Sequence, residues 1–125
     1  MILHFTKRSL QAGVTALEMT GSIHAGPECG RLEREVDGMI AARETRVIFD
    51  MGGVTHADSA AIGAIVRCLM KLKSAGGGLR IAAAQPMIHN CLKLTRVDLL
   101  IETFPTLDQA AEGFSDPDAS AARQA

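Results

Sequence analysis

Tryptophan and tyrosine are absent from this chain, and its 125 residues include only four phenylalanines. Single-stranded nucleic acids are commonly held by aromatic side chains on which bases stack, so that mode of binding has no platform here. Positive charge is not in excess either: 13 Lys and Arg stand against 14 Asp and Glu, a formal net charge of −1. That balance argues against a surface built to track phosphates, and no direct nucleic-acid contact is expected. No apolar run approaches the roughly 18 residues that span a bilayer, so membrane insertion is not expected. The opening MILHFTKRSL lacks the basic segment and apolar core of a signal peptide, and a cytoplasmic location follows as the expectation.

Cysteine is scarce and unpatterned. Cys29, Cys68 and Cys91 are far apart and odd in number, and each falls in a predicted helix near its apolar stripe. They read as small buried thiols of a reducing compartment. The histidines His4, His24, His56 and His89 show no His-x-x-x-His spacing, and the cysteines no Cys-x-x-Cys. The pattern calls for no metal and no cofactor.

Apolar residues are plentiful, at 47% of the chain. That composition predicts one globular domain with a proper core, since the length suffices for one domain and not for two. Residues 2–8 partly alternate and read as a first strand, Gln11-Ala12-Gly13 as a turn, and Val14 to Met19 as a second strand of a hairpin. Gly21 to Gly26 reads as a loop. Pro27 suits the first turn of a helix that runs to about Ala42, with Cys29, Leu32, Val36, Met39 and Ile40 inward and an Arg31–Glu35 pair on the wet side.

The stretch from Thr45 to Gly77 organises the rest. Arg46-Val47-Ile48-Phe49-Asp50 reads as a central strand and Gly52-Gly53 as a turn. A helix follows from about Ser59, with Ile62, Ile65, Val66, Leu69 and Leu72 on one stripe, and Gly76-Gly77-Gly78 ends it. Leu79 to Ala83 reads as a further strand, with Arg80 on a solvated face. Pro86 opens a third helix with Ile88, Cys91, Leu92 and Thr95 inward. Leu99 to Thr103 reads as a short strand, and Thr106 as the cap of a last helix. From Ser115 on, small polar residues read as a flexible tail beyond a domain at 1–114. Strands that alternate with helices after a hairpin predict an α/β domain with a mixed sheet.

The start of the central helix carries the candidate chemistry. Asp58 or Ser59 can cap its first turn, and Ala60, Ala61, Gly63 and Ala64 are small, which leaves the Ser59 hydroxyl open to a partner. On spacing alone Ser59 is a helix-start serine. A nucleophile reading, with His56 and Asp58 nearby, lacks the glycines of the Gly-x-Ser-x-Gly elbow, so no catalytic residue is assigned. Neither glycine group precedes the Gly-Lys-Ser/Thr of a phosphate-binding loop.

VIFDMGGVTHADSAAIGAIV resembles the signature of STAS domains, the family of bacterial anti-sigma factor antagonists. In that family a strand ends in Asp, and Asp-Ser-Ser-Gly-Leu-Gly opens a helix. GSIHAGPECGRLEREV resembles the family's Gly-Glu-Leu-Asp segment and first helix. GGGLRIAAAQPMIHNCLKLTRVDLLIETFPTLDQAAEGF resembles its later elements, including Leu-Thr-Gly-Leu-Asp. The resemblance covers residues 1–114 and implies a mixed sheet of four to five strands with about four helices.

It also implies a mechanism. The family's serine after the motif Asp, here Ser59, is phosphorylated by a partner anti-sigma factor that is also a serine kinase. Phosphorylation breaks the complex, and a phosphatase restores it. The implied partner-binding surface comprises His24, His56, Asp58, Ser59, Ala60, Ala61, Ile62 and Gly63. Self-association as a homo-oligomer is compatible with it. The second serine and first glycine of the motif are replaced by Ala60 and Ala61, both acids of Gly-Glu-Leu-Asp are lost at Ser22 and His24, and Arg96 stands where the family has glycine. The change at Arg96 is expected to have little effect, whereas the alanines and the lost acids allow a different partner surface. They also leave room for a non-switching scaffold, in a stressosome-type assembly or a membrane transport system.

Overall fold

Alternate residues of the central strand serve two separate cores. Val47 and Phe49 belong to the main core, whereas Ile48 between them belongs to a smaller cluster with Val14, Ala82 and Ala110. Successive side chains of a strand point to opposite faces, so the sheet is covered on both sides.

The computed structural model of the chain describes residues 2–10 and 13–114. The strands are β1 (His4–Ser9), β2 (Val14–Ile23), β3 (Arg46–Ala57), β4 (Gly78–Ala82) and β5 (Thr103–Phe104). The helices are α1 (Pro27–Ala41), α2 (Ser59–Ser74), α3 (Pro86–Leu94) and α4 (Leu107–Ala111). The strands lie in chain order in a single sheet. β1 pairs antiparallel with β2 as the expected hairpin, and β2, β3, β4 and β5 are parallel. The tail expected from Ser115 lies outside the described residues, as do Gln11 and Ala12 of the first turn.

The helical stripes are where their periodicity puts them. Cys29, Leu32, Val36 and Met39 of α1 are buried, as are Ile62, Ile65, Leu69 and Leu72 of α2, while Ile40 and Val66 pack at the margin. The two helices are also joined across their wet side. Arg67 meets Glu33 at 3.1 Å, and Lys71 meets Asp37 at 3.1 Å. Exposed pairs of this kind contribute about 0–1 kcal/mol each. The expected Arg31–Glu35 pair is replaced by a different contact: the Arg31 guanidinium lies over the Phe5 ring at 5.3 Å, which ties α1 to β1. The glycines after α2 act as expected. Gly76 takes a positive φ of 86°, and the Gly77 N–H reaches back to the Leu72 carbonyl at 2.9 Å, closing the helix.

Several expectations are corrected. Gly52-Gly53 is not a turn, because β3 continues through it to Ala57. β2 likewise continues past Met19 to Ile23, where a loop is expected. The glycines serve a bulge instead: Glu18 faces Asp50, yet Thr20 faces Gly53, so β3 carries one extra residue. A Cβ on Gly53 would stand 2.5 Å from Thr20 Cγ2 and 3.0 Å from the Met19 carbonyl oxygen, so the close strand approach requires glycine. Side chains satisfy the bulge. The Gly52 N–H donates to Asp50 Oδ1 at 3.1 Å, and Gln85 Nε2 donates to the Gly52 carbonyl at 2.9 Å.

Arg80 is half-buried and does not stand on an open face of the sheet. Its guanidinium lies 4.4 Å from the Phe114 ring centroid and 5.3 Å from that of Phe104, and it donates to the carbonyls of Ala110 and Glu112. α4 therefore closes the second face of the sheet. The Leu99–Thr103 strand is replaced by a 3-10 turn at Val97–Leu99, with β5 beginning only at Thr103. Ile101 drops into the main core while Leu99 and Leu100 stay exposed, a pattern that no strand alternation would give. Thr95 turns outward and donates its hydroxyl to the Cys91 carbonyl at 2.7 Å.

Arg96, which stands where the resembling motif has glycine, is left-handed at φ 61° directly after the α3 cap. A side chain in that conformation costs about 1–2 kcal/mol, part of which glycine gives back through the freedom of the unfolded chain. Arg96→Gly is expected to stabilise the domain by roughly 0.5–1 kcal/mol, read as a rise in the thermal midpoint of a few degrees.

Candidate functional site

Beyond Asp50, β3 pairs with β2 and no longer with β4, so the two strands carry on together past the rest of the sheet. Their tip brings the 24–26 segment next to the start of α2. Asp58 joins the two. It is the N-cap of α2: its Oδ1 accepts the Ala61 N–H at 2.9 Å, and its backbone N–H donates to the Ile23 carbonyl at 3.3 Å. Its other oxygen, Oδ2, accepts the Ala25 N–H at 2.9 Å. His24 Nδ1 stands 3.9 Å from the same oxygen.

The bond from Ala25, then that from Ala61, holds the Asp58 carboxyl below the usual aspartate range. Hydrogen bonds to a carboxylate favour its charged form, so Asp58 is an anion at neutral pH. It sits at the positive end of the α2 dipole, where a negative charge is favourable.

Asp58 thus caps the helix, and Ser59 is left as its first residue with an exposed side chain. Ala60 and Gly63 are half-buried beside it. Ala61 and Ile62 do not join this surface. They are 0% and 5% exposed and belong to the main core, because the first turn of α2 already packs on the sheet. The extra methyl of Ala61 therefore points inward and not at a point of approach. His24 and His56 are both exposed. His56 is the last residue but one of β3, and its Nδ1 lies 3.2 Å from Thr55 Oγ1.

Thr55 is a participant that the sequence does not reveal. It is the extra residue of a second bulge, between Gly21–Val54 and Ser22–His56, and its hydroxyl bonds the Gly21 carbonyl at 3.3 Å. Only the strand register shows this role. Among the described residues no group of three or more His, Cys, Asp and Glu could hold a metal. No helix of those residues is long and apolar enough to cross a membrane. Cys29 and Cys68 are buried and Cys91 is half-buried. Burial pushes the Cys68 thiol up to about 12, so it stays protonated and inert.

A family model described as the STAS domain matches residues 9–110. The chain belongs to the STAS domain family. Solved structures share its fold. An anti-sigma factor antagonist from Mycobacterium paratuberculosis superposes with a TM-score of 0.81 at 21% identity, over 92% of this chain and 96% of that one. A putative anti-sigma factor antagonist from Thermotoga maritima gives 0.81 at 20% identity, over 88% and 93%. The Bacillus cell fate determinant SpoIIAA in its phosphorylated form gives 0.67 at 12% identity, over 87% and 97%. At such identities the likeness establishes the STAS fold and not the role. A search of curated proteins finds no match.

Proposed function

We propose that this STAS domain is an anti-sigma factor antagonist that binds an anti-sigma factor with serine-kinase activity and is switched off by phosphorylation of Ser59. The observation that carries the reading is the exposed Ser59 hydroxyl at the first position of α2, beside the small residues Ala60 and Gly63. A phosphate there adds about −1.5 to −2 charges to a surface that would otherwise close against a partner. A phosphatase would restore the unmodified state. His24, His56, Asp58, Ala60 and Gly63 frame the contact, while Ala61 and Ile62 support it from beneath.

The resemblance and the names of the structural neighbours support this role. The altered motif, with alanine at 60 and 61 and histidine at 24, argues for a partner surface of its own.

The test is capture from lysate of the native host with wild-type and Ser59→Glu chains as baits, followed by titration of the captured partner. A kinase-like protein is expected to bind the wild type and to bind Ser59→Glu about 100-fold more weakly, as an unpaired charge in an interface costs about 2–5 kcal/mol. Both baits should melt at the same temperature. Equal capture by both baits, of other STAS chains or of transporter subunits, would instead establish a non-switching scaffold or accessory subunit.

A further inference from the structure

Three segments meet at one carboxylate: the 24–26 loop, the end of β3 and the first turn of α2. Asp58 Oδ2 receives the Ala25 N–H and Asp58 Oδ1 receives the Ala61 N–H, each at 2.9 Å. The loop's other bonds run to its own helix: the Cys29 thiol donates to the His24 carbonyl at 3.2 Å and the Gly30 N–H to the Gly26 carbonyl at 3.5 Å. His24, Ala25 and Gly26 are exposed, so burial does not fix the loop in place. Ala61, in contrast, is wholly buried within α2. The two bonds to Asp58 therefore differ in how firmly their donors are held.

We infer that Asp58 is a positioning residue, a latch that sets the 24–26 loop beside Ser59, and that a phosphate on Ser59 releases it. The second half rests on the reading of Ser59 as the phosphoacceptor. The phosphate would be carried by the residue next to Asp58, at the same helix start. Both anions seek the few free N–H groups of the first α2 turn, and they repel one another. The contact whose donor sits in an exposed loop gives way before the one whose donor is packed in the helix. Phosphorylation then alters two parts of the surface together, the Ser59 position and the loop that carries His24.

Asp58→Asn separates the latch from the cap. Asparagine is a good N-cap, and its single carbonyl oxygen can still accept from Ala61. Its amide nitrogen cannot accept from Ala25. Amide hydrogen exchange followed by NMR is the measurement, on the wild-type chain, on Asp58→Asn, and on a chain with phosphoserine installed at position 59 by semisynthesis. The Ala25 amide is expected to exchange about tenfold faster in the last two than in the first, as loss of a charge-assisted hydrogen bond implies. Ala61 should stay protected in Asp58→Asn. Asp58→Asn should also weaken capture of the partner although Ser59 is intact. Unchanged Ala25 exchange in either altered chain would overturn the latch. The two readings fail separately. Loss of partner binding on phosphorylation with Ala25 still held would leave the switch and remove the latch. A freed Ala25 with unaltered partner binding would do the reverse.

Discussion

With Ile65 replaced by aspartate, no cooperative unfolding transition is expected in a thermal melt followed by circular dichroism. Ile65 is 0% exposed at the middle of α2, within the core that α1, α2 and β3 share. A carboxylate there has no partner and no water. It must either be buried as a charge or be protonated at a heavy cost, and the lost packing adds to this. The sum is about 5 kcal/mol or more, which matches the whole stability of a domain at the low end of the usual range of about 5–15 kcal/mol. Leu69→Asp, one turn on and 3% exposed, should behave alike. Met70→Asp is the control, because Met70 stands 60% exposed on the outer side of the same helix. Its melt should stay within about 0.5 kcal/mol of wild type. A wild-type melt for Ile65→Asp would mean that the faces of α2 are reversed.

Gly77→Ala is expected to lower the thermal midpoint by about 10 °C, which corresponds to about 3 kcal/mol in a domain of this size. The cause is steric. A Cβ on Gly77 would run into the Thr45 carbonyl, which is backbone and already accepts the Gly78 N–H at 2.9 Å. That carbonyl cannot move aside without parting β3 from β4 at the place where their pairing begins. The neighbouring Gly76 offers the contrast: nothing lies within 4 Å of its would-be Cβ, but its φ is +86°. Gly76→Ala should therefore cost only the conformational penalty, about 1 kcal/mol. Equal losses at the two positions would show that backbone conformation, and not the collision, governs this turn.

The two glycines of one tripeptide thus serve different ends, and only one of these was legible in the sequence. A helix terminator follows from local chemistry, as do the α1 and α2 stripes, the Pro27 and Pro86 starts and the Thr106 cap, whose hydroxyl receives the Gln109 N–H at 3.1 Å. Each depends on residues within a turn or two of one another. The misreadings share the opposite property. Gly52-Gly53 has the composition of a turn, but the approach of β2 makes it a bulge. Arg80 has the look of a solvated position because Phe104 and Phe114, which enclose it, lie more than twenty residues away. In the candidate site Ser59 and Asp58 were legible as a helix start. The tie from Asp58 to Ala25 was not, since its donor is a backbone group that carries no side-chain signature. Ala61 was misplaced because small residues at a helix start suit an open surface and a tight core equally well.

The two-stranded extension formed by β2 and β3 has a consequence for how such a domain diversifies. The exposed residues at its tip, His24, His56 and Ser59, are displayed apart from the main core, and β4 and β5 end short of them. Exchanges at those positions leave the packing of the three large helices untouched. Were a partner to read these side chains, its specificity could be recut there at little risk to folding, much as a key blank keeps its shank while its teeth are recut.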